Sequence, residues 1–134
     1  MYTYENYTAL VAVAQENGFL DLVEDMVNSV DRYVSKIFNM ETLLPVVRFR
    51  YEGAELREKI MELDQSRKIA HDACMSYINI LNRSLLMFGQ TRFIDLPEDS
   101  HRDLYSVEII NFHSMLVEHG ILKDTNEFRE EEDF

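Results

Sequence analysis

The chain has 134 residues, of which 46% are hydrophobic and 28% charged, and this composition is typical of one soluble globular domain with a sizeable core. Its formal charge of −12 argues against nucleic acid as a partner, because phosphate binding requires Lys and Arg gathered in one patch. No apolar run is long enough to cross a membrane and no basic secretory segment is visible, so we expect a cytoplasmic protein that does not enter the membrane.

Two helices are predicted in the first 39 residues. In the first, Tyr7, Leu10, Val11 and Ala14 repeat at the spacing of one helical face, and Gly18 supplies a left-handed stop. The pattern restarts at Phe19, with apolar residues at Leu22, Val23, Met26, Val27, Val30, Tyr33, Val34, Ile37 and Phe38. This second helix is expected to end at about Asn39.

The segment METLLPVVRFRYEG, residues 40–53, has two interpretations. Thr42 could cap a short separate helix with Pro45 in its first turn, whereas VRFRY alternates with the period of a strand. We favour the helix, because a single strand would have no partner elsewhere in the chain. Arg48 and Arg50 are then expected to be mostly exposed.

A long central helix is predicted over residues 54–88, which contain no Pro or Gly and are followed by Gly89. Nine positions fall on one helical face: Leu56, Ile60, Leu63, Ala70, Cys74, Tyr77, Leu81, Leu85 and Phe88. Such a helix would be about 50 Å long at 1.5 Å per residue, long enough to span the whole domain.

The rest of the chain predicts a loop over residues 90–99, a last helix capped by Ser100 with Asp103 in its first turn, and a stop at Gly120 after His119. The fold class is therefore all-α, a bundle of four to five helices around the long central helix of about 54–88. We expect one helical-bundle domain at 1–123 and an acidic C-terminal tail at 124–134. The tail carries −5 of the charge of −12, leaving −7 for the other 123 residues.

The last helix is apolar on two sides. Tyr105, Ile109, Phe112 and Leu116 share one face, and Val107, Ile110 and Val117 share roughly the opposite one. Such a helix must be covered on both sides. It either lies at the centre of the bundle, or a second subunit covers Val107, Ile110 and Val117 in a homodimer.

The central helix also carries a candidate polar site, made of Asp64, Arg67, His71, Asp72, Asn82 and Arg83. Asp64, His71 and Asn82 lie in one line at the edge of the apolar face, and Arg67 lies further in among the core positions. Asp72 and Arg83 belong to a second line on the opposite flank, with Ser76 and Asn79. The set is either a structural ion pair with a hydrogen-bonded histidine or a small polar pocket that binds a ligand or a partner.

The segment SRKIAHDACMSYINILNR, residues 66–83, resembles the central signature of a bacterial family of small uncharacterised helical proteins. Members share an Arg followed by His-Asp or His-Asn and a later Leu-Asn-Arg, which correspond here to Arg67, His71, Asp72, Asn82 and Arg83. Lys68 stands where the pattern has a second arginine. The resemblance covers mainly the central helix and implies a compact helical bundle without an assigned biochemical role.

No complete catalytic or metal-binding motif is present. The His71–Asp72 pair is similar to that of metal-dependent phosphohydrolases, but no histidine precedes it to supply the first ligand. The sequence contains no phosphate-binding glycine loop and no nucleophile elbow. Cys74 lies on the buried face of its helix. We therefore predict no catalytic residues, no bound metal and no cofactor.

The remaining enzymatic alternative rests on the acids of residues 52–64: Glu52, Glu55, Glu58, Glu62 and Asp64. All-α nucleotide pyrophosphohydrolases hold magnesium with Glu-x-x-Glu and Glu-x-x-Asp pairs on two helices, because Mg²⁺ prefers several oxygen ligands. Residues 52–64 contain only the first kind of pair, at Glu52/Glu55 and Glu55/Glu58. We prefer a non-enzymatic cytosolic helical protein that acts by binding a protein partner or by self-association.

Overall fold

A computed structural model describes residues 3–90 and 102–123, with side chains from residue 108 onward in the second range. These ranges form four α-helices and no strand: α1 (Tyr4–Asn17), α2 (Leu20–Arg50), α3 (Gly53–Met87) and α4 (Arg102–Glu118). The predicted all-α class with a long central helix is confirmed. The predicted loop over 90–99 beyond Gln90, the Ser100 cap and the acidic tail lie outside the described residues.

Helix α1 begins and ends where its sequence provides caps. The Thr3 hydroxyl accepts a hydrogen bond from the Asn6 N–H at 3.2 Å, which satisfies one of the first unpaired donors of the helix. Gly18 adopts φ +79° after Asn17, a left-handed conformation that a glycine adopts without steric cost. The predicted stop of this helix is confirmed.

Helix α2 does not end near Asn39 but continues to Arg50, with Pro45 inside it. The predicted break and the separate helix capped by Thr42 are therefore wrong. Pro45 removes one backbone N–H, yet Val47 is only 2% exposed and anchors this stretch. The helix thus continues through the local signal for a break. Arg48 and Arg50 are exposed, as expected, and the strand interpretation is excluded.

Helix α3 follows after only Tyr51 and Glu52, so α2 and α3 form one long antiparallel hairpin. Its 35 residues are uninterrupted, which confirms the predicted central helix. Among the nine predicted face positions, five are buried: Leu63, Ala70, Cys74, Leu81 and Leu85. Phe88, at the far end, stacks on Phe19 with ring centroids 5.5 Å apart.

The core lies at one end of the hairpin, where α1 and α4 pack beside the first half of α2. Its buried residues are Leu10, Ala14, Val23, Met26, Val27, Val30, Tyr33, Ala70, Cys74, Ile78, Leu81, Leu85, Ile109, Phe112, Met115 and Leu116. None of these comes from residues 38–69. That part of the hairpin, which we call the arm, has Val47 and Leu63 as buried apolar residues of its own.

Helix α4 turns one apolar face to the core. Ile109, Phe112 and Leu116 are fully buried, and Phe112 packs near Tyr7 of α1 with ring centroids 6.2 Å apart. On the opposite face Ile110 is 37% exposed and Val117 is partly buried. The side chains of Tyr105 and Val107 lie outside the described residues.

Candidate functional site

The centre of the candidate polar site is Arg67, whose side chain is 15% exposed. Its Nη2 donates to the Asp64 Oδ1 at 2.8 Å, one turn earlier on α3, and Tyr33 of α2 also hydrogen-bonds to it. Burial lowers the pKa of Arg67, but the hydrogen bond and charge of Asp64 outweigh this effect, so its pKa is raised. The guanidinium is thus held by two fixed neighbours.

His71 lies one turn further along α3, against the same tyrosine. The Tyr33 and His71 rings meet edge to face, with centroids 5.3 Å apart and an interplanar angle of 68°. The His71 Nδ1 lies 3.2 Å from the Asp72 Oδ1, so the two side chains are in contact. The helical spacing places His71 and Asp72 in different lines of α3 and therefore did not predict this contact. The side chains of two adjacent residues on one turn can nevertheless bend toward each other.

Asn82 and Arg83 do not join this group. Eleven residues separate His71 from Asn82, which corresponds to about 16 Å along a helix. Asn82 is buried within the core region, whereas Arg83 is exposed on the outer side of α3. The structure therefore brings Asp64, Arg67, His71 and Asp72 together and leaves the last two predicted members elsewhere.

Helix α2 contributes Tyr33 to this site, which the sequence did not predict. Tyr33 is fully buried and contacts both Arg67 and His71, but its position on an apolar face predicted only a core residue. Lys36, one turn later, is also buried although it is charged. A single sequence shows which face of a helix is apolar. It does not show which polar side-chain groups of the facing helix will contact that face.

The acids of residues 52–64 are arranged mainly along solvent-exposed sides of α3. Glu52, Glu55, Glu58 and Glu62 are exposed, and Glu62 lies 3.6 Å from Lys59. Asp64 is engaged by Arg67. Within residues 3–90 and 108–123, no three His, Cys, Asp or Glu side chains come together as a metal-binding group.

Cys74 is fully buried between α2 and α3. Burial raises the pKa of its thiol to about 12, although a hydrogen bond with Ser29 acts in the opposite direction. A thiol with this pKa is almost entirely protonated at neutral pH. Because the thiolate is the reactive form, the chain has no activated nucleophile at this position.

A groove of about 710 Å³ runs along the outside of the arm. Its described lining comes from α3 alone: Ala54, Arg57, Glu58, Met61, Glu62, Gln65, Ser66 and Ile69. Met61 and Ile69 supply its exposed apolar surface and the charged side chains surround them. The groove lies away from Arg67 and His71, neither of which lines it.

The fold and the site define a small all-α protein, a helical hairpin with a core at one end and a polar cluster between its two long helices. Residues 1–95 match the family described as "Protein of unknown function (DUF3232)", and the chain belongs to this family. The match covers α1, α2 and α3. The predicted membership of an uncharacterised family is confirmed.

Two further comparisons add no relative: no curated protein and no solved structure matches the chain. No helix among the described residues has the length and apolar character needed to cross a membrane.

Proposed function

We propose that this protein is a non-enzymatic, cytosolic helical protein that acts by binding a protein partner or a second copy of itself. The observation that carries the proposal is a set of large apolar side chains exposed on the outside of the α2–α3 hairpin. They are Val46, Phe49, Met61, Ile69, Ile80, Leu86, Met87 and Phe88. Phe49 is 92% exposed and Met87 is 81% exposed.

These side chains are expensive to leave in water. Burying a side chain of this size contributes about 1.5–3 kcal/mol, and clusters of exposed apolar residues are typical of interaction surfaces. The net charge of −12 keeps copies of the chain apart at long range and favours partners with a basic surface. Binding would therefore depend on short-range apolar contact or on local charge complementarity.

The outer face of α4 belongs to the same proposal. Val107, Ile110 and Val117 are the residues that a second subunit would cover in a homodimer through this helix. The exposure of Ile110 supports this surface, while Val117 is already partly covered within one chain.

The polar cluster has an architectural role in this proposal. Arg67 is held by Asp64 and Tyr33, and His71 by Asp72 and the Tyr33 ring. A buried polar group with fixed partners specifies one alignment of the two helices that it joins. We propose that the cluster fixes the register of α2 against α3 and thereby the position of the exposed surfaces.

The proposal is tested by measuring association directly. Light scattering and sedimentation of the full chain from micromolar to millimolar concentration detect self-association, and Val107→Lys, Ile110→Lys and Val117→Lys test the α4 surface. We expect either a concentration-dependent dimer or a monomer that binds a helical partner with an apolar and basic face. A monomer that binds neither its own copy nor such a helix would remove the proposal.

A further inference from the structure

We propose that two copies of the chain pair through the outside of α3 in antiparallel orientation, about a twofold axis that passes between Ala73 and Ser76. The surface is a stripe of exposed residues: Glu62, Ile69, Ala73, Ser76, Ile80, Arg83 and Met87. This inference rests on the proposed function and names its partner as a second copy.

The spacing of the stripe suits a second helix. From Ile69 onward the positions advance alternately by four and three residues, the repeat with which one helix packs along another. The stripe lies on the side of α3 opposite Cys74, Ile78 and Leu81, which face the core. It is therefore available without any change in the fold of the single chain.

The middle of the stripe is narrow and lies between two exposed isoleucines, Ile69 and Ile80. Ala73 and Ser76 are small, so two helix backbones can approach closely at this point. In an antiparallel pair centred between them, Ile69 of one chain lies level with Ile80 of the other, and this contact occurs twice. The two isoleucines are 61% and 47% exposed in the single chain, so both have surface to bury.

The charges of the stripe favour a second copy in this orientation. Glu58 and Glu62 lie toward one end and Arg83 lies near the other. In the antiparallel pair, Arg83 of the copy is level with Ser66 and about 6 Å along the axis from Glu62, within the length of an arginine side chain. A parallel pair would instead place Glu62 against Glu62, which is unfavourable. Glu62 is also near Lys59, but that exposed pair at 3.6 Å is weak.

The groove on the arm fits the same arrangement. It is lined from Ala54 to Ile69, and the copy would place its residues Ile80 to Met87 along the half that contains Glu62 and Ile69. Met87 of the copy would lie level with Glu62, beside Met61. The most exposed apolar side chain of α3 is thereby covered in the groove of the partner.

A charge-exchange experiment on the full chain tests the pairing by sedimentation equilibrium. We expect Glu62→Arg and Arg83→Glu each to weaken self-association about ten-fold, because each places two like charges in contact. An equimolar mixture of the two variants should associate as tightly as the wild-type chain, and so should the double variant. Ile80→Asp should prevent association. All three positions are exposed, and circular dichroism confirms the fold of each variant.

Glu16→Arg is the matched control, since it makes the same charge change as Glu62→Arg at an exposed position of α1 that lies outside the stripe. We expect it to leave the dimer unchanged. A dimer that ignores Glu62, Ile80 and Arg83 but is lost in Ile110→Lys would overturn this pairing and leave the proposed function in place. A wild-type chain that stays monomeric at millimolar concentration also overturns the pairing, and binding of another helix then decides the proposed function alone.

Discussion

His113 of α4 and Asp31 of α2 lie 82 positions apart in the chain, yet the His113 Nε2 is 3.1 Å from the Asp31 Oδ1. The two side chains are 5% and 19% exposed. A polar group buried to this extent is stable only when it has a hydrogen-bond partner. The contact therefore ties α4 to the middle of α2 and fixes the depth at which Phe112 enters the core.

We predict that His113→Ala lowers the free energy of unfolding by about 1–3 kcal/mol, because it removes a buried hydrogen bond and leaves the Asp31 carboxylate without this contact. Urea unfolding followed by circular dichroism measures the change. His119→Ala is the control, since His119 stacks on Tyr4 at the exposed end of α4. A loss for His119→Ala as large as that for His113→Ala would show that the internal contact has no special weight.

The buried thiol of Cys74 predicts a dependence of stability on alkaline pH. Its pKa rises from 9.0 to about 12 on folding, so above pH 9 the unfolded chain ionises this group while the folded chain does not. The stabilisation is complete below pH 9 and is lost as the pH rises toward 12. We expect the free energy of unfolding to fall by about 1 kcal/mol between pH 8 and pH 10 from this group.

Cys74→Ala separates the thiol from other groups that titrate in the same range. Tyr7 also has a raised pKa, caused by burial and then by the charge of Glu24, and it will contribute to the decline in both proteins. The variant should lose less stability than the wild-type chain between pH 8 and pH 10. Equal losses would show that the thiol of Cys74 does not contribute to the dependence. In the native wild-type chain at pH 8, a thiol reagent should react only as fast as the protein unfolds.

In the polar cluster, loss of the Arg67 charge should reduce stability less than loss of the Tyr33 ring. Arg67→Met should change the free energy of unfolding by less than about 1 kcal/mol, since an apolar side chain of similar length replaces a partly buried ion pair at little cost. Tyr33→Ala should cost about 3–5 kcal/mol, because it opens a cavity beneath Arg67 and His71. Chemical denaturation of both variants checks the order. A severe loss in Arg67→Met would indicate that the hydrogen bond between Arg67 and Tyr33 holds α3 to α2.

Much of the fold could be predicted because helical signals in this chain are local. Gly18, Gly89 and Gly120 all adopt positive φ at predicted helix stops, and the run without Pro or Gly forms one helix. The prediction failed at Pro45, where α2 continues through a local break signal and Val47, two residues later, is buried. Tertiary contact can outweigh local preference, and a single sequence does not reveal its strength.

The candidate site was predicted in part. The Asp64–Arg67 pair follows from their spacing of three residues on one helix, which the sequence contains. Tyr33 and the His113–Asp31 contact join different helices, and their pairing depends on helix register and rotation. The periodicity of a single sequence encodes neither the register nor the rotation of one helix against another. Contacts within a helix were therefore predictable, whereas contacts between helices were not.

Magnesium and nucleotides provide a direct test against the enzymatic alternative. We expect the melting temperature to change by less than about 1 °C when magnesium and a nucleoside triphosphate are added, whereas a ligand at 100 times its Kd would stabilise by about 2.7 kcal/mol and raise it by several degrees. Thermal unfolding across a nucleotide panel measures this. A shift that disappears in Glu55→Gln and Glu58→Gln would instead favour the magnesium-dependent hydrolase that uses residues 52–64.

Pro45 distinguishes a continuous α2 from two separate helices. Inside a continuous helix, Pro45→Ala restores the hydrogen bond to the Glu41 carbonyl and relieves the clash of the ring with it. We expect the free energy of unfolding to rise by about 1–2 kcal/mol, since the greater freedom of the unfolded alanine chain offsets part of the gain. Urea unfolding measures the change.

Thr42→Ala completes this test, because the two arrangements predict opposite signs for it. In a continuous α2 the exposed Thr42 is an ordinary helical position, and alanine should be neutral or slightly stabilising. If Thr42 capped a separate helix, Thr42→Ala would lower the free energy of unfolding by about 1 kcal/mol. Pro45→Ala would then bring no gain in stability. Stabilisation in Pro45→Ala without loss in Thr42→Ala therefore requires an unbroken α2, the helix against which the arm portion of α3 packs.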